Sequence, residues 1–195
     1  IDPISLEIDL VRCEGCGVCA LVCPQNAIEM RDHVSGEIFL SKTRYGTLCH
    51  ARLFPGEANS GKLVTELKMS ATVVAGKERA KLLIVDGPPG IGCPVISSVS
   101  GSSAVLAVAE PTPSGLHDLS RLIDLSKHFG VPTYVCINQY DVNEEVSEEI
   151  EEFCSRAEVE VMGKIPFDEK VVEAATHRKP VVEYSPASPS AQEIR

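Results

Sequence analysis

The chain has 195 residues and a mass of 21.0 kDa, room for one compact α/β domain with a small appendage but not for two full enzymes. Apolar residues make up 44%, charged residues 24% and aromatics 5% with no Trp, an ordinary globular composition whose core must be aliphatic. A net charge of −10 and a pI near 5.0 argue against nucleic acid or an anionic membrane face as partner. No apolar run reaches the roughly 18 residues of a transmembrane helix.

The chain opens at Ile1 inside a strand-like alternation (Ile4, Leu6, Ile8), which reads as a piece of a longer gene product. A dense cysteine cluster follows, and Glu37–Leu40 resumes the strand pattern behind it. From about residue 60 the texture changes. Residues 61–70 suit a helix, with Leu63 and Leu67 four apart and Asn59 or Ser60 as N-cap. Leu82–Val85 and Ala104–Val108 are short continuous apolar runs, the pattern of parallel strands buried on both faces. Ser114 is placed to cap a helix carrying Leu116, Leu119, Leu122 and Ile123, which Gly130 ends and Pro132 keeps from resuming. A third strand is expected over Thr133–Ile137. Residues 144–157 form an acidic helix with Val146, Ile150 and Phe153 on one stripe. A last strand covers about Val159–Ile165, a short helix starts from Asp168, and the Ser/Pro-rich tail from Ser185 is expected to be disordered. Strands alternating with helices of ten to fifteen residues predict an α/β fold with a mostly parallel, doubly wound sheet.

Cysteine usage carries the first chemical signal. Four of the eight cysteines, Cys13, Cys16, Cys19 and Cys23, crowd into eleven residues in the pattern C-x2-C-x2-C-x3-C-P, with Pro24 closing it. Thiolates at this spacing can reach several irons of one cubane, and Gly15 and Gly17 let the backbone wrap close to the sulfides. Zinc sites usually pair two C-x2-C knuckles a dozen or more residues apart, so one dense quartet suits a 4Fe-4S cluster better. In this pattern the fourth cysteine points to a different cluster, leaving three local ligands. The missing ligand could come from upstream of Ile1, which we favour, or from Cys49; a three-iron cluster is the other option. The remaining Cys93, Cys136 and Cys154 sit in apolar or helical segments and are expected to be structural thiols of a reducing, cytoplasmic compartment. His33 and His50 flank the cluster region and His117 lies near a helix start; surface histidines are the expected role for the first two, and His117 could face either the edge of the sheet or solvent.

The second signal is spread along one sheet edge. Asp86 ends the apolar run Leu82–Val85 and leads into Gly-Pro-Pro-Gly90, placing a carboxylate and a Gly-rich turn where α/β sheets bind ligands. In P-loop NTPases such an Asp serves Mg²⁺, and Gly90 would let a backbone N–H approach a γ-phosphate. Asn138 and Asp141 form N-x-x-D, a possible purine reader, at the end of a later strand. Glu110–Ser114 and Pro166–Asp168 close two further strands on the same edge.

Taken in order, these pieces resemble the MinD/ParA/Mrp branch of P-loop ATPases, in the variety with an inserted bacterial-type ferredoxin domain. The resemblance rests on Cys13–Pro24, Thr43–Gly46, Gly56–Val64, Asp86–Pro94 and Glu110–Asp118. It implies a ferredoxin-like module over 1–45, a nucleotide-binding α/β domain over 46–184 and a tail over 185–195. It implies ATP with Mg²⁺ bound across a homodimer, coupled to electron transfer or iron–sulfur handling with a redox partner protein. Asp86 would be the Mg²⁺-associated, catalytic carboxylate, Asn138 the adenine contact, and Pro166 and Asp168 neighbours of the base. The family's N-terminal Gly-rich Lys-Thr loop is missing from this sequence. Gly56-x4-Gly61-Lys62 imitates it, but Leu63 stands where Ser or Thr would ligate Mg²⁺. These residues alone are therefore not expected to hydrolyse ATP. No basic amphipathic helix for membrane attachment is apparent. A plain ferredoxin-type carrier with a docking domain and a GTP-binding protein are the rival readings.

Overall fold

The structure is a computed structural model that describes residues 1–2, 4–9, 13, 15–57 and 61–195. It divides the chain into two compact units, Ile1–Pro88 and Pro89–Arg195.

In the first unit the alternation Ile4–Leu6–Ile8 is a turn, not a strand. The Asp2 carboxylate accepts the N–H groups of Ile4 and Ser5, both at 2.8 Å, and Leu6 is turned to φ 58°. A short helix α1 (Val18–Leu21) follows the cysteine loop. Strands β1 (Gly36–Thr43) and β2 (Gly46–Leu53) then form an antiparallel hairpin, of which only the first strand was expected. Its two-residue Arg44-Tyr45 turn is closed by Thr43, whose hydroxyl donates to the Gly46 carbonyl at 2.8 Å. Cross-strand pairs fix the register: Glu37 meets Arg52 at 3.2 Å, and Phe39 stacks on His50 with ring centroids 5.3 Å apart. Helix α2 (Gly61–Glu78) runs well beyond the expected 61–70, because the sequence through Glu78 holds no Pro. The expected cap at Asn59 or Ser60 lies outside the described residues. Thr47 on β2 donates to the Glu78 carboxylate at 2.8 and 2.9 Å, joining the hairpin to the end of α2.

The segment Leu82–Val85 overturns an expectation. It is not a strand, and Leu82 and Ile84 are 74% and 80% exposed. An apolar tetrapeptide becomes a strand only when a neighbour takes up its backbone groups, and none of the described residues pairs with it.

The second unit supplies every fully buried side chain of the described residues, from Val95 to Ala191. Strands β3 (Val105–Ala109), β4 (Thr133–Asn138) and β5 (Glu160–Ile165) form a parallel sheet in the order β3-β4-β5. Helices α4 (Pro113–His128) and α5 (Glu144–Arg156) make the crossovers. Ala107, Ala109, Val135 and Ile137 of the sheet pack against Leu119, Ile123, Ile150 and Cys154 of the two helices. The opposite face departs from the expectation of a sheet covered on both sides: Leu106, Val108 and Met162 stay 57–64% exposed. Continuous apolar strands show that a second face is apolar; they do not supply the layer that covers it.

Helix α3 (Cys93–Val99) packs Val95 and Val99 on Val131. The cap of α4 is Thr112 rather than Ser114, because Pro113 takes the first helical position and the Thr112 hydroxyl accepts the Gly115 N–H at 2.9 Å. Helices α6 (Glu169–Thr176), α7 (Val181–Tyr184) and α8 (Pro189–Glu193) complete the unit around Ala174, Val181 and Ala191. The tail expected to be disordered is thus partly helical. Pro189 takes the start of α8 behind Ser188, and Ser190 and Ala191 are fully buried. No described helix is long and apolar enough to cross a membrane.

Candidate iron–sulfur and nucleotide sites

The cysteine loop is shaped by two glycines. Gly15 and Gly17 adopt φ of 63° and 75°, conformations open to glycine at little cost, and Gly17 is the N-cap of α1. Cys19 rides on α1, and Cys23 follows that helix just past its C-cap at Val22. Cys13 and Cys16 are exposed, whereas Cys19 and Cys23 are partly covered. The chain then turns back over the last thiol: the Ala27 N–H donates to the Cys23 sulfur at 3.4 Å. That N–H, followed by those of Gln25 and Asn26, pushes the Cys23 thiol below its ordinary range toward the thiolate. An all-sulfur donor set with backbone N–H groups aimed at a sulfur fits an iron–sulfur core, whose charge such donors offset. Among the described residues no three His, Cys, Asp or Glu side chains converge on a ready-made metal position.

The other thiols and imidazoles have separate roles. Cys49 stands mid-β2 opposite Leu40. His33 pairs with Glu57 at 2.8 Å, and this bond holds the Glu57 carboxyl below its usual range. His50 meets the Ser41 hydroxyl at 2.9 Å. His117 lies exposed beside Asp118 at 3.6 Å. Cys136 and Cys154 are covered structural thiols whose pKa burial pushes up. Cys93 departs from expectation: as the first residue of α3 it is exposed, since only Val95, Ser98 and Val99 of that helix turn inward.

The second unit gathers three loops at the carboxyl ends of its strands, the edge on which open α/β sheets bind ligands. Glu110–Thr112 follows β3, Gln139–Asn143 follows β4, and Pro166–Asp168 follows β5. Asn138, the last residue of β4, pairs in register with Ile165 of β5. Gln139 is turned to φ 54°, swinging the chain into a 3-10 turn at Tyr140–Val142. The Asp141 carboxylate accepts the Phe167 N–H at 2.7 Å and so ties the β4 loop to the β5 loop. Ser147 donates to the Tyr140 carbonyl at 2.7 Å from the start of α5. Lys164 leans over the Tyr140 ring at 5.3 Å and pairs with Glu151 at 2.6 Å, which raises the lysine pKa.

Asp168 is engaged on both oxygens. One accepts the Lys170 N–H at 2.9 Å as N-cap of α6; the other accepts the Ser190 hydroxyl at 2.7 Å and its N–H at 3.3 Å. The Ser190 hydroxyl above all, with the Lys170 N–H next, holds this carboxyl down at about 2. The structure therefore brings Asn138, Asp141, Pro166 and Asp168 onto one rim, but both carboxylates face protein donors. Asp86, exposed, belongs to the first unit, and Gly90, at φ 81°, to the second. Thr112, Phe167 and Ser190 escaped the sequence reading. The first was legible in Thr-Pro-Ser; the last needed a contact 22 residues away.

Comparison with known proteins bears on both sites. Residues 6–29 match the family model for a 4Fe-4S binding domain. An uncharacterized protein of Methanocaldococcus jannaschii is 38% identical over 139 residues, 71% of this chain and 49% of the relative. An uncharacterized ATP-binding protein of the same organism is 29% identical over 127 residues, 65% of this chain and 48% of the relative. The chain thus spans about half the length of these curated relatives. Among solved structures, the MinD cell division protein of Aquifex aeolicus superposes with TM-score 0.59 and 21% identity, covering 80% of this chain and 64% of that one. The septum site-determining protein MinD of Pyrococcus horikoshii OT3, complexed with Mg-ADP, gives TM-score 0.54 and 21% identity, covering 69% of this chain and 53% of that one. At such identity the likeness carries the fold. The chain accordingly joins a 4Fe-4S binding domain to α/β architecture of the MinD type, as its motif order led us to expect.

Proposed function

We propose that this chain is the iron–sulfur and base-binding part of a nucleotide-dependent protein that couples ATP binding to electron transfer or iron–sulfur handling. The observation that carries the reading is the C-x2-C-x2-C-x3-C-P loop within a matched 4Fe-4S domain, its last sulfur already receiving a backbone N–H. Cys13, Cys16 and Cys19 are assigned as thiolate donors to one cluster and Cys23 to another, and the bound iron–sulfur centres would supply one-electron chemistry. On the nucleotide side, Asp86 is assigned the Mg²⁺-associated carboxylate, Gly90 the phosphate approach, and Asn138 the base contact. The ATP-binding name of one relative and the Mg-ADP complex of one fold neighbour support nucleotide binding as such; the residue roles rest on the motif order.

Adenine is preferred to guanine for a reason in the rim itself. A guanine reader needs a carboxylate free to accept two base N–H groups, and one Asp141 oxygen is occupied by Phe167. With one Asp141 oxygen and both Asp168 oxygens engaged by protein donors, base reading rests on the Asn138 amide. A homodimer and a redox partner protein belong to the same proposal.

The test is paired. After anaerobic reconstitution, the whole gene product containing these residues is assayed for iron and acid-labile sulfide, then titrated with Mg-ATP and Mg-GTP by calorimetry. Iron with sulfide and a preference for ATP are expected. Zinc in place of iron, or no heat with either nucleotide, overturns the corresponding half of the reading.

A further inference from the structure

We infer that Ser190 is a positioning residue for the nucleotide rim, latching the loop after β5 through Asp168; the inference rests on the nucleotide reading above. The loop Pro166–Asp168 is short and carries a half-exposed Phe167 ring, 51% open to solvent. It is held at two points. On one side Phe167 donates its N–H to Asp141, fixing the loop to the chain that leaves β4 beside Asn138. On the other side Asp168 receives both the hydroxyl and the N–H of Ser190.

The second clamp differs from an ordinary surface hydrogen bond. Ser190 is fully buried, and its neighbour Ala191 is packed with Ala174 and Val181, so the donor is held in place by a small apolar cluster. The acceptor is ionised across the physiological range, and charge-assisted bonds are about twice as strong as neutral ones. Lys170 takes the other oxygen, so the carboxylate cannot rotate without giving up the cap of α6. The last helix of the chain thereby fixes the pitch of the loop that flanks the base position. Loosening the latch would free Pro166 and Phe167 while leaving the phosphate-side residues unchanged.

The test compares wild type with Ser190→Ala and Asp168→Asn, the second keeping a good helix cap. Amide exchange at Phe167 should accelerate about ten- to hundredfold in Ser190→Ala, as expected for losing one hydrogen bond to a charged group. Exchange in β4 should not change. Affinity for Mg-ATP should fall while affinity for inorganic tripolyphosphate, which has no base, stays constant. That split is one a general loss of stability would not produce. If Ser190→Ala opens every amide together, Asp168→Asn carries the comparison. Unchanged exchange at Phe167, or equal losses for ATP and tripolyphosphate, overturns the latch. Failure of the wild type to bind ATP overturns the nucleotide reading instead, and the exchange data still judge the latch.

Discussion

Replacing Cys16 by Ala separates the metal chemistry from the fold. Cys16 stands between Gly15 and Gly17 in an exposed turn, and none of the buried side chains from Val95 to Ala191 belongs to that loop. Two magnitudes follow. Outer-shell changes alone cost about 10- to 100-fold in metal affinity, so deleting a ligand should weaken cluster binding at least about tenfold and lower the iron retained per chain. Surface substitutions away from special features usually stay within about 0.5 kcal/mol. At about 4–8 °C per kcal/mol for a domain of this size, the α/β melting temperature should move by no more than about 4 °C. The assay is iron and sulfide content after anaerobic reconstitution, the brown chromophore, and a melt followed by near-ultraviolet dichroism. Full chromophore in Cys16→Ala would refute the ligand assignment. Loss of the α/β transition would refute the separation of cluster loop and core.

Other outcomes rest on the second unit. Ile150→Ala removes three carbons from a fully buried position between α5 and the sheet, costing roughly 3–4 kcal/mol once the cavity is included, and chemical denaturation should report it. Gly115→Ala would drive its Cβ into the Glu110 carbonyl and crowd the Thr112 hydroxyl that caps α4, destabilising by about 1–3 kcal/mol in the same assay. Acid should act through Asp168: its carboxyl is lowered from 3.8 to about 2, so its contribution is present above the unfolded value and disappears as pH falls between them. The melting difference between wild type and Asp168→Asn should accordingly shrink as pH falls from about 4 to about 2 and vanish only below that; a gap that does not shrink over this range would show that the carboxylate charge is not the cause.

What could be read without coordinates was whatever local spacing dictates. The quartet from Cys13 to Cys23 names its chemistry because ligand geometry is met within one loop, and the helices and strands of residues 105–176 follow from periodicity and caps. Gln139 and Asn138 at the end of β4, and Asp168 ahead of α6, were likewise placed by the order of strand, turn and helix. The tertiary structure decided where groups distant in sequence meet. Leu82–Val85 has the composition of a strand but lacks a paired neighbour among the described residues, so composition could not make it one. The sheet keeps Leu106 and Val108 exposed because a covering layer must come from other chain segments, and none of the described residues buries them. Asp141 was read as part of a purine reader and Asp168 as a neighbour of the base; only the folded chain shows an oxygen of each taken by Phe167 and by Ser190. Hydrogen bonds across 22 or more residues leave no periodic trace, because they depend on packing rather than on spacing.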